Sequence, residues 1–435
     1  MQQARHRDRS GRGRRAQLAI VLLLGAWWGA GGPLVSLIVG QRLPADRLST
    51  GRIAETALGI QTQNVGLVVC VAGCLSIVGW NLLAHPTRPR PLLPLFAMLA
   101  MFGCVGFANL VATGGETRSG SRIALLLAVT IWSIQPAVRD LRVLAVTGLV
   151  IVAVSIALLP SGKTWMPAAD IVLQEKALVG TQLMAGPFGQ SNVLGLALAV
   201  TIPFAFLFKR VAVRLGAVAL IGFFLVLSGS RSALLGVAAA FAIGVVIAMI
   251  RGRFLSGAVA LIGAVGLLTV SLWLPLTTTN PQAFTQRGSI WMISRSMWGR
   301  SDGALLFGNG LGYYGIGGHF ALYDHGSPTY HGHNEIVSIM TTSGLATVAA
   351  FLLVLTIAFV GALKRRGFGR RAVLVSLLVL LGCGIAETPL RIDTVDSLGW
   401  LTWFAFFAVV VAVAGDVDDS HSVSSPRSLS RSAAR

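Results

Sequence analysis

The chain reads as an all-α, polytopic integral membrane protein of about twelve transmembrane helices, and three observations predict it. Hydrophobic residues fill 54% of the 435 positions and charged residues only 12%, about half the charged share of an ordinary soluble domain. The mean hydropathy is +0.75. The apolar residues fall in unbroken runs close to the ~20 needed to cross ~30 Å of hydrocarbon, not in the alternating ~10-residue segments of a membrane barrel. A helix satisfies its own backbone where no water is present, so runs of this kind become helices.

In chain order the predicted spans are 17–39, 65–84, 92–112, 122–138, 142–160, 190–208, 211–228, 232–250, 254–276, 340–363, 372–389 and 398–415. Residues 1–16, with Arg5, Arg7, Arg9, Arg12, Arg14 and Arg15 among glycines, are too charged to fold alone and are expected as a disordered cytoplasmic arm. The Ser-rich segment 416–435 is expected as a disordered tail, and Asp416, Asp418 and Asp419 within it are discounted as a metal site. The connections Pro86–Pro91, Lys209–Arg214, Arg251–Arg253 and Lys364–Arg371 are short and basic, which puts them and both termini on the expected cytoplasmic side of the membrane.

With this topology most of the 35 Lys and Arg lie inside and most of the 16 acids outside. The net charge of +19 is therefore a topology signal, reinforced by anionic lipid, and not a nucleic-acid footprint. Cys70, Cys74, Cys104 and Cys383 sit inside apolar spans with no His or carboxylate at metal spacing, so they read as small buried hydrophobes.

Charge within a span is expensive and marks function. Here the middles of nearly all spans are empty, and the exceptions lie at outer ends: Arg231, Glu335, Glu387, Arg391, Asp393 and Asp396. That distribution disfavours an ion-coupled transporter with a midplane site and favours chemistry at the outer interface.

Four outward elements are placed to converge. They are the loop 160–189 with Gln190 and Asn192, the helix end at Arg231, the loop 277–332 with Arg287, Arg295 and Arg300, and the run His331-Gly332-His333-Asn334-Glu335. Each has a plainer reading. Arg231 suits a snorkelling helix end, the loop arginines a solvated basic face, Gly308-Asn309-Gly310-Leu311-Gly312 a set of turns, and His333 an exposed loop histidine. Their concentration on one side is what argues for a site. No nucleotide-sugar or ATP pool exists outside the cytoplasm, so group transfer there draws on a membrane-held carrier such as a polyprenyl diphosphate. Guanidinium groups bind such oxygens in bidentate fashion and stay charged, and a histidine takes or orients an acceptor hydroxyl proton near neutral pH.

Taken in order, Gly186-Pro187-Phe188-Gly189-Gln190-Ser191-Asn192, Ser228-Gly229-Ser230-Arg231-Ser232-Ala233, Arg287 with Trp291, Gly308 to Gly312, and His333-Asn334-Glu335 with Ser343-Gly344-Leu345 resemble the O-antigen ligase and O-antigen polymerase superfamily. The resemblance covers residues from about 186 to 363. It implies a GT-C-like helical fold with one large extracytoplasmic loop, and a metal-independent, inverting transfer from an undecaprenyl-diphosphate-linked saccharide to a glycan, lipid or cell-wall acceptor hydroxyl. No cofactor is implied, and a chain-length regulator is a conceivable protein partner.

On matched positions Arg231 and Arg287 would bind the diphosphate and His333 would serve the acceptor hydroxyl, with Asn334 holding a helix start. His331, Arg295, Arg300, Gln190 and Asn192 complete the expected substrate-binding set. Two departures stand out: Ser343 replaces an acid frequent in the family, and His331 precedes His333 as a rival histidine. Competing classes are a flippase or exporter of lipid-linked glycans, a shape-and-division-type peptidoglycan polymerase using Asp302 or Asp324, and a membrane scaffold.

Overall fold

The computed structural model describes residues 2–42, 53–86, 89–113, 119–166, 177–314, 320, 331–391 and 398–415. The expected tail 416–435, together with Tyr330, Asp324, Asp393 and Asp396, lies outside the described residues. Among those described, the chain is all helix and loop, and seven helices are long and apolar enough to cross a membrane. Four shorter apolar helices, 120–134, 191–207, 211–227 and 399–414, pack among them. The protein is a multi-pass helical membrane protein.

Helix α1 (Gln2–Ala26) runs through a π-helical turn (Trp27–Gly31) into α2 (Gly32–Val39). The arm expected to be disordered is helical here. Propagating an existing apolar helix backwards requires no new nucleus, and Arg14 and Arg15 meet the buried Asp140 carboxylate at 3.3 and 3.5 Å. Then follow α3 (Ala57–Ala84), α4 (Leu92–Thr113), α5 (Ser119–Ile134) and α6 (Arg142–Ala157). Helix α3 begins eight positions before the predicted 65, because Gln61, Thr62, Gln63 and Asn64 hide its first turns from a hydropathy reading. Its Thr56 cap accepts from the Gly59 amide at 3.1 Å.

The second half comprises α7 (Ser191–Thr201, extended by a 3-10 turn Ile202–Leu207), α8 (Val211–Leu227), α9 (Arg231–Met249), α10 (Arg253–Thr277), α11 (Ala283–Trp298), α12 (Asp302–Phe307), α13 (Glu335–Lys364), α14 (Gly367–Gly384) and α15 (Gly399–Ala414). Helix α15 is the axle of the bundle, buried from Gly399 to Val413. Its Trp403 stacks on Phe407 with centroids 5.0 Å apart, and both meet Phe102 of α4. Helices α9 and α14 cross on small residues: a Cβ on Gly236 would lie 2.6 Å from the Cys383 nitrogen. Such close approach replaces the hydrophobic drive that lipid does not supply between helices.

The 277–332 loop carries structure of its own. Ile290 and Met297 of α11 pack with Tyr313, Tyr314 and Phe320 into a small satellite core. The loop is fastened to α13 at a break in that helix. Gly344 has φ 72° and ψ −177°, backbone that only glycine adopts readily, so the helix is interrupted and the Thr341 and Thr342 carbonyls lose their intrahelical donors. Asn309 and Gly310 donate their amides to those two oxygens at 2.8 and 3.0 Å. Contact is so tight that a Cβ on Gly344 would sit 2.4 Å from Leu306 backbone, and one on Gly308 2.4 Å from the Ser343 nitrogen. The glycine run expected as ordinary turns is a docking strip.

Candidate active site

Five segments distant in sequence meet at one end of the bundle, and the group they share is a carboxylate. Glu387, in the turn after α14, is 3% exposed. Its Oε1 accepts from Asn192 Nδ2 at 3.1 Å, from the Ser232 hydroxyl at a weak 3.5 Å, and from Arg287 Nη2 in a short ion pair. Its Oε2 lies 3.4 Å from His333 Nδ1. No hydrogen bond is completed at that nitrogen, and the contact becomes an ion pair only when the imidazole is protonated.

Local folding explains each placement. Asn192 stands in the first turn of α7, whose approach is clamped by Arg42. That guanidinium donates to the carbonyls of Lys163 (2.6 Å), Phe188 (2.8 Å), Gly189 (3.2 Å) and Gly186 (2.7 Å), which fixes the Gly186–Gly189 turn. Burial lowers Arg42 to about 10, still far above any working pH. Ser232 sits in the first turn of α9, next to Arg231. Arg287 is carried by α11, which Trp291 pins through an indole hydrogen bond of 3.0 Å to the Gly332 carbonyl.

Asn334 caps α13: its Oδ1 accepts from the Val337 amide at 2.9 Å, and its Nδ2 reaches the Ser271 and Ile385 carbonyls at 2.8 and 2.9 Å. It is 0% exposed and ties α10, α13 and the Glu387 turn together. Glu335 adds a second tie, accepting from the Leu390 amide at 2.9 Å.

His333 has φ 47°, left-handed backbone that a non-glycine residue adopts at a cost of about 1–2 kcal/mol. His331, 7% exposed, lies beside it with ring centroids 4.0 Å apart. Burial is the main influence holding both imidazoles below their ordinary 6.5. For His331 the charges of Arg391, His333 and Arg287 add to it. For His333 the Glu387 carboxylate opposes burial, while Arg287 and Arg391 reinforce it. Burial pushes the Glu387 carboxyl up, but Arg287, His333 and Arg391 together outweigh it and hold that group at about 2. At neutral pH the cluster is thus an anion with two nearby guanidinium groups and two neutral imidazoles.

Of the residues predicted from sequence, Asn192, Arg287, His333 and His331 come together here. Arg231 is exposed at the head of α9, joined to the cluster through its neighbour Ser232. Arg295 faces elsewhere, donating to the Leu276 and Thr278 carbonyls and so closing the end of α10. Arg300 is exposed in the turn before α12, and Gln190 is half-buried as the residue preceding α7. Glu387 is the residue the sequence reading left out of the site. The signal available was its position, a carboxylate at the end of an apolar run in a chain whose arginines need a counter-charge.

His331, His333 and Glu387 offer ligand atoms within 4.8 Å of one another. The donor set does not suit a cation, however. Glu387 Oε1 is already held by Arg287, Arg391 adds further positive charge, and His331 Nδ1 already faces the His333 amide. No family model matches the chain, and no curated protein matches it.

Proposed function

We propose that this protein is a membrane glycosyltransferase of the O-antigen ligase and polymerase kind. It acts at the outer face of a bacterial plasma membrane within a GT-C-like bundle of twelve crossings, with both termini cytoplasmic. It moves a saccharide from an undecaprenyl-diphosphate carrier to an acceptor hydroxyl. The observation that carries this reading is the convergence of Asn192, Ser232, Arg287 and His333 on the single buried carboxylate of Glu387.

The chemistry follows from those groups. With Nδ1 turned toward Glu387, His333 offers Nε2 to the acceptor hydroxyl. The acceptor oxygen attacks the anomeric carbon as its proton passes to His333, and the bond from that carbon to the diphosphate breaks with its electron pair leaving on the diphosphate. One displacement inverts the anomeric centre. Arg287, with Arg231 at the rim, meets the charge that grows on the leaving group, where fixed donors are worth most. The carboxylate keeps the imidazole oriented and stabilises it once protonated, as in other base-and-orienter pairs.

The deciding experiment incubates the purified protein with a polyprenyl-diphosphate oligosaccharide, with and without a second acceptor. Longer lipid-linked chains indicate a polymerase, and saccharide on the second acceptor a ligase. Translocation without a new bond in vesicles would point to a flippase and overturn the proposal. His333→Ala and Arg287→Ala should each lower transfer by about 100-fold or more while the protein remains inserted. Undiminished transfer in both would remove the site.

A further inference from the structure

Two histidines stand at the mouth of α13, and the mechanism above employs one. The other makes two contacts through a single atom. His331 Nδ1 lies 3.2 Å from the His333 backbone nitrogen and 3.0 Å from the Thr388 hydroxyl oxygen. A backbone amide only donates, so this nitrogen is an acceptor without a proton. The Thr388 hydroxyl, free to rotate, shares the same lone pair, and the ring proton resides on Nε2.

We propose that His331 is a positioning residue, whose Nδ1 ties the His333 backbone to the turn bearing Glu387 and thereby sets the distance between imidazole and carboxylate. The inference rests on the reading of His333 as the proton acceptor. Its logic is topological: one donor belongs to His333 itself, and the other to the residue directly after Glu387. The 3.4 Å separation of His333 and Glu387 is thus bridged from behind by one buried ring. The same contact explains how His333 holds a left-handed backbone at φ 47°, because an acceptor two residues upstream captures its amide as an Asx turn would.

The surroundings keep His331 in this role. Thr388 and Arg391 face it from the turn after α14, Arg287 from α11, and His333 from its own segment. Burial first, and then those charges, oppose its protonation. A lone pair already shared by two donors is not available to an acceptor sugar, so the two histidines have separate duties.

The test compares His331→Asn, His331→Ala and Thr388→Val in the full chain. Asparagine places an oxygen acceptor close to where Nδ1 lies, and alanine removes it. Two readouts are taken: transfer rate against pH, and the pH dependence of His333 carbethoxylation by diethyl pyrocarbonate, followed by peptide mass spectrometry. The second needs no activity.

In His331→Ala we expect kcat to fall about 10- to 100-fold with little change in donor KM, as a misplacement near 1 Å produces. The carbethoxylation curve of His333 should shift upward toward the ordinary 6.5. His331→Asn should keep transfer within about threefold of wild type and keep its curve, with Thr388→Val between the two. An asparagine variant as inactive as the alanine variant would assign the chemistry to the ring itself and overturn the proposal. Wild-type rate and curve in His331→Ala would do so as well. If the wild-type protein transfers no saccharide, the functional reading fails, while the carbethoxylation curves still decide the positioning role.

Discussion

Replacing Glu387 with alanine should destabilise the end of the bundle that holds this cluster, and the structure sets the size of the effect. The Arg287 and Glu387 side chains are 18% and 4% exposed, so solvent screens their pair little. Removing one member of such a pair leaves the other charge desolvated, at a cost of about 3–5 kcal/mol. The Asn192 amide and Ser232 hydroxyl lose their acceptor too, each worth about 1 kcal/mol, though effects that share one partner do not add.

A net loss near 4 kcal/mol is the expectation for either Glu387→Ala or Arg287→Ala. Removing both charges with Arg287→Leu and Glu387→Leu leaves nothing buried and unpaired. That double variant should lie within about 1–2 kcal/mol of wild type, far short of the roughly 8 kcal/mol that two independent losses of this size would sum to. Thermal midpoints in detergent, read from retention of the monodisperse species, give the ranking directly. The double variant should nevertheless be inactive, which separates stability from catalysis. Losses that simply add across the two sites would refute the idea that this pair holds the site together.

Three further outcomes are expected. Gly344→Ala forces a side chain into glycine-only backbone and to within 2.4 Å of Leu306, so it should lose more than about 3 kcal/mol and speed limited proteolysis at Arg300 by loosening the backbone around it; an unchanged digest would contradict the docking strip. His333→Gly should abolish transfer yet melt higher than His333→Ala by about 1 kcal/mol, because only glycine relieves the left-handed strain; the reverse order would show no strain was stored. Acid should weaken the fold in two stages. His331 and His333 titrate below 6.5 in the fold, and Glu387 at about 2 against an ordinary 4.5. In each case the unfolded chain binds protons first, so the stabilisation is complete above the ordinary value and disappears as pH falls toward the folded one. A midpoint that stays flat from pH 7 to 5 would argue against the upper stage.

Hydropathy made most of the fold legible, since a membrane span must be apolar along its whole length. The predicted 92–112, 211–228 and 254–276 match Leu92–Thr113, Val211–Leu227 and Arg253–Thr277 to within a residue at each end. Where polar residues belong to a helix, as at Gln61 to Asn64, that reading failed. The helices of the 277–332 loop were missed because their burial is mutual and local, with no bilayer to impose a pattern. In the site, His333 and Asn192 were legible as polar groups at the ends of apolar runs, and Arg287 as a guanidinium in the long polar stretch between two of them. Glu387 stood among four charged residues between the last two predicted spans, and its partners Asn192, Ser232 and Arg287 lie 195, 155 and 100 positions away. Only folding reveals that Glu387 is enclosed. Arg295 shows the converse: a cation in the right loop serves a helix terminus.

The interruption at Gly344 separates the short stretch Glu335 to Ser343 from the long remainder of α13. A bilayer that thickens or thins tilts the long helices spanning it, at a cost of fractions of a kcal/mol per Å of mismatch. In an unbroken helix of 30 residues such a tilt would swing the far end sideways. Here the short stub is moored to the loop and to its neighbours, so the lever bends at the glycine and the histidines keep their station. An organism altering its lipid chain length with temperature would retain the same spacing of these side chains in this protein.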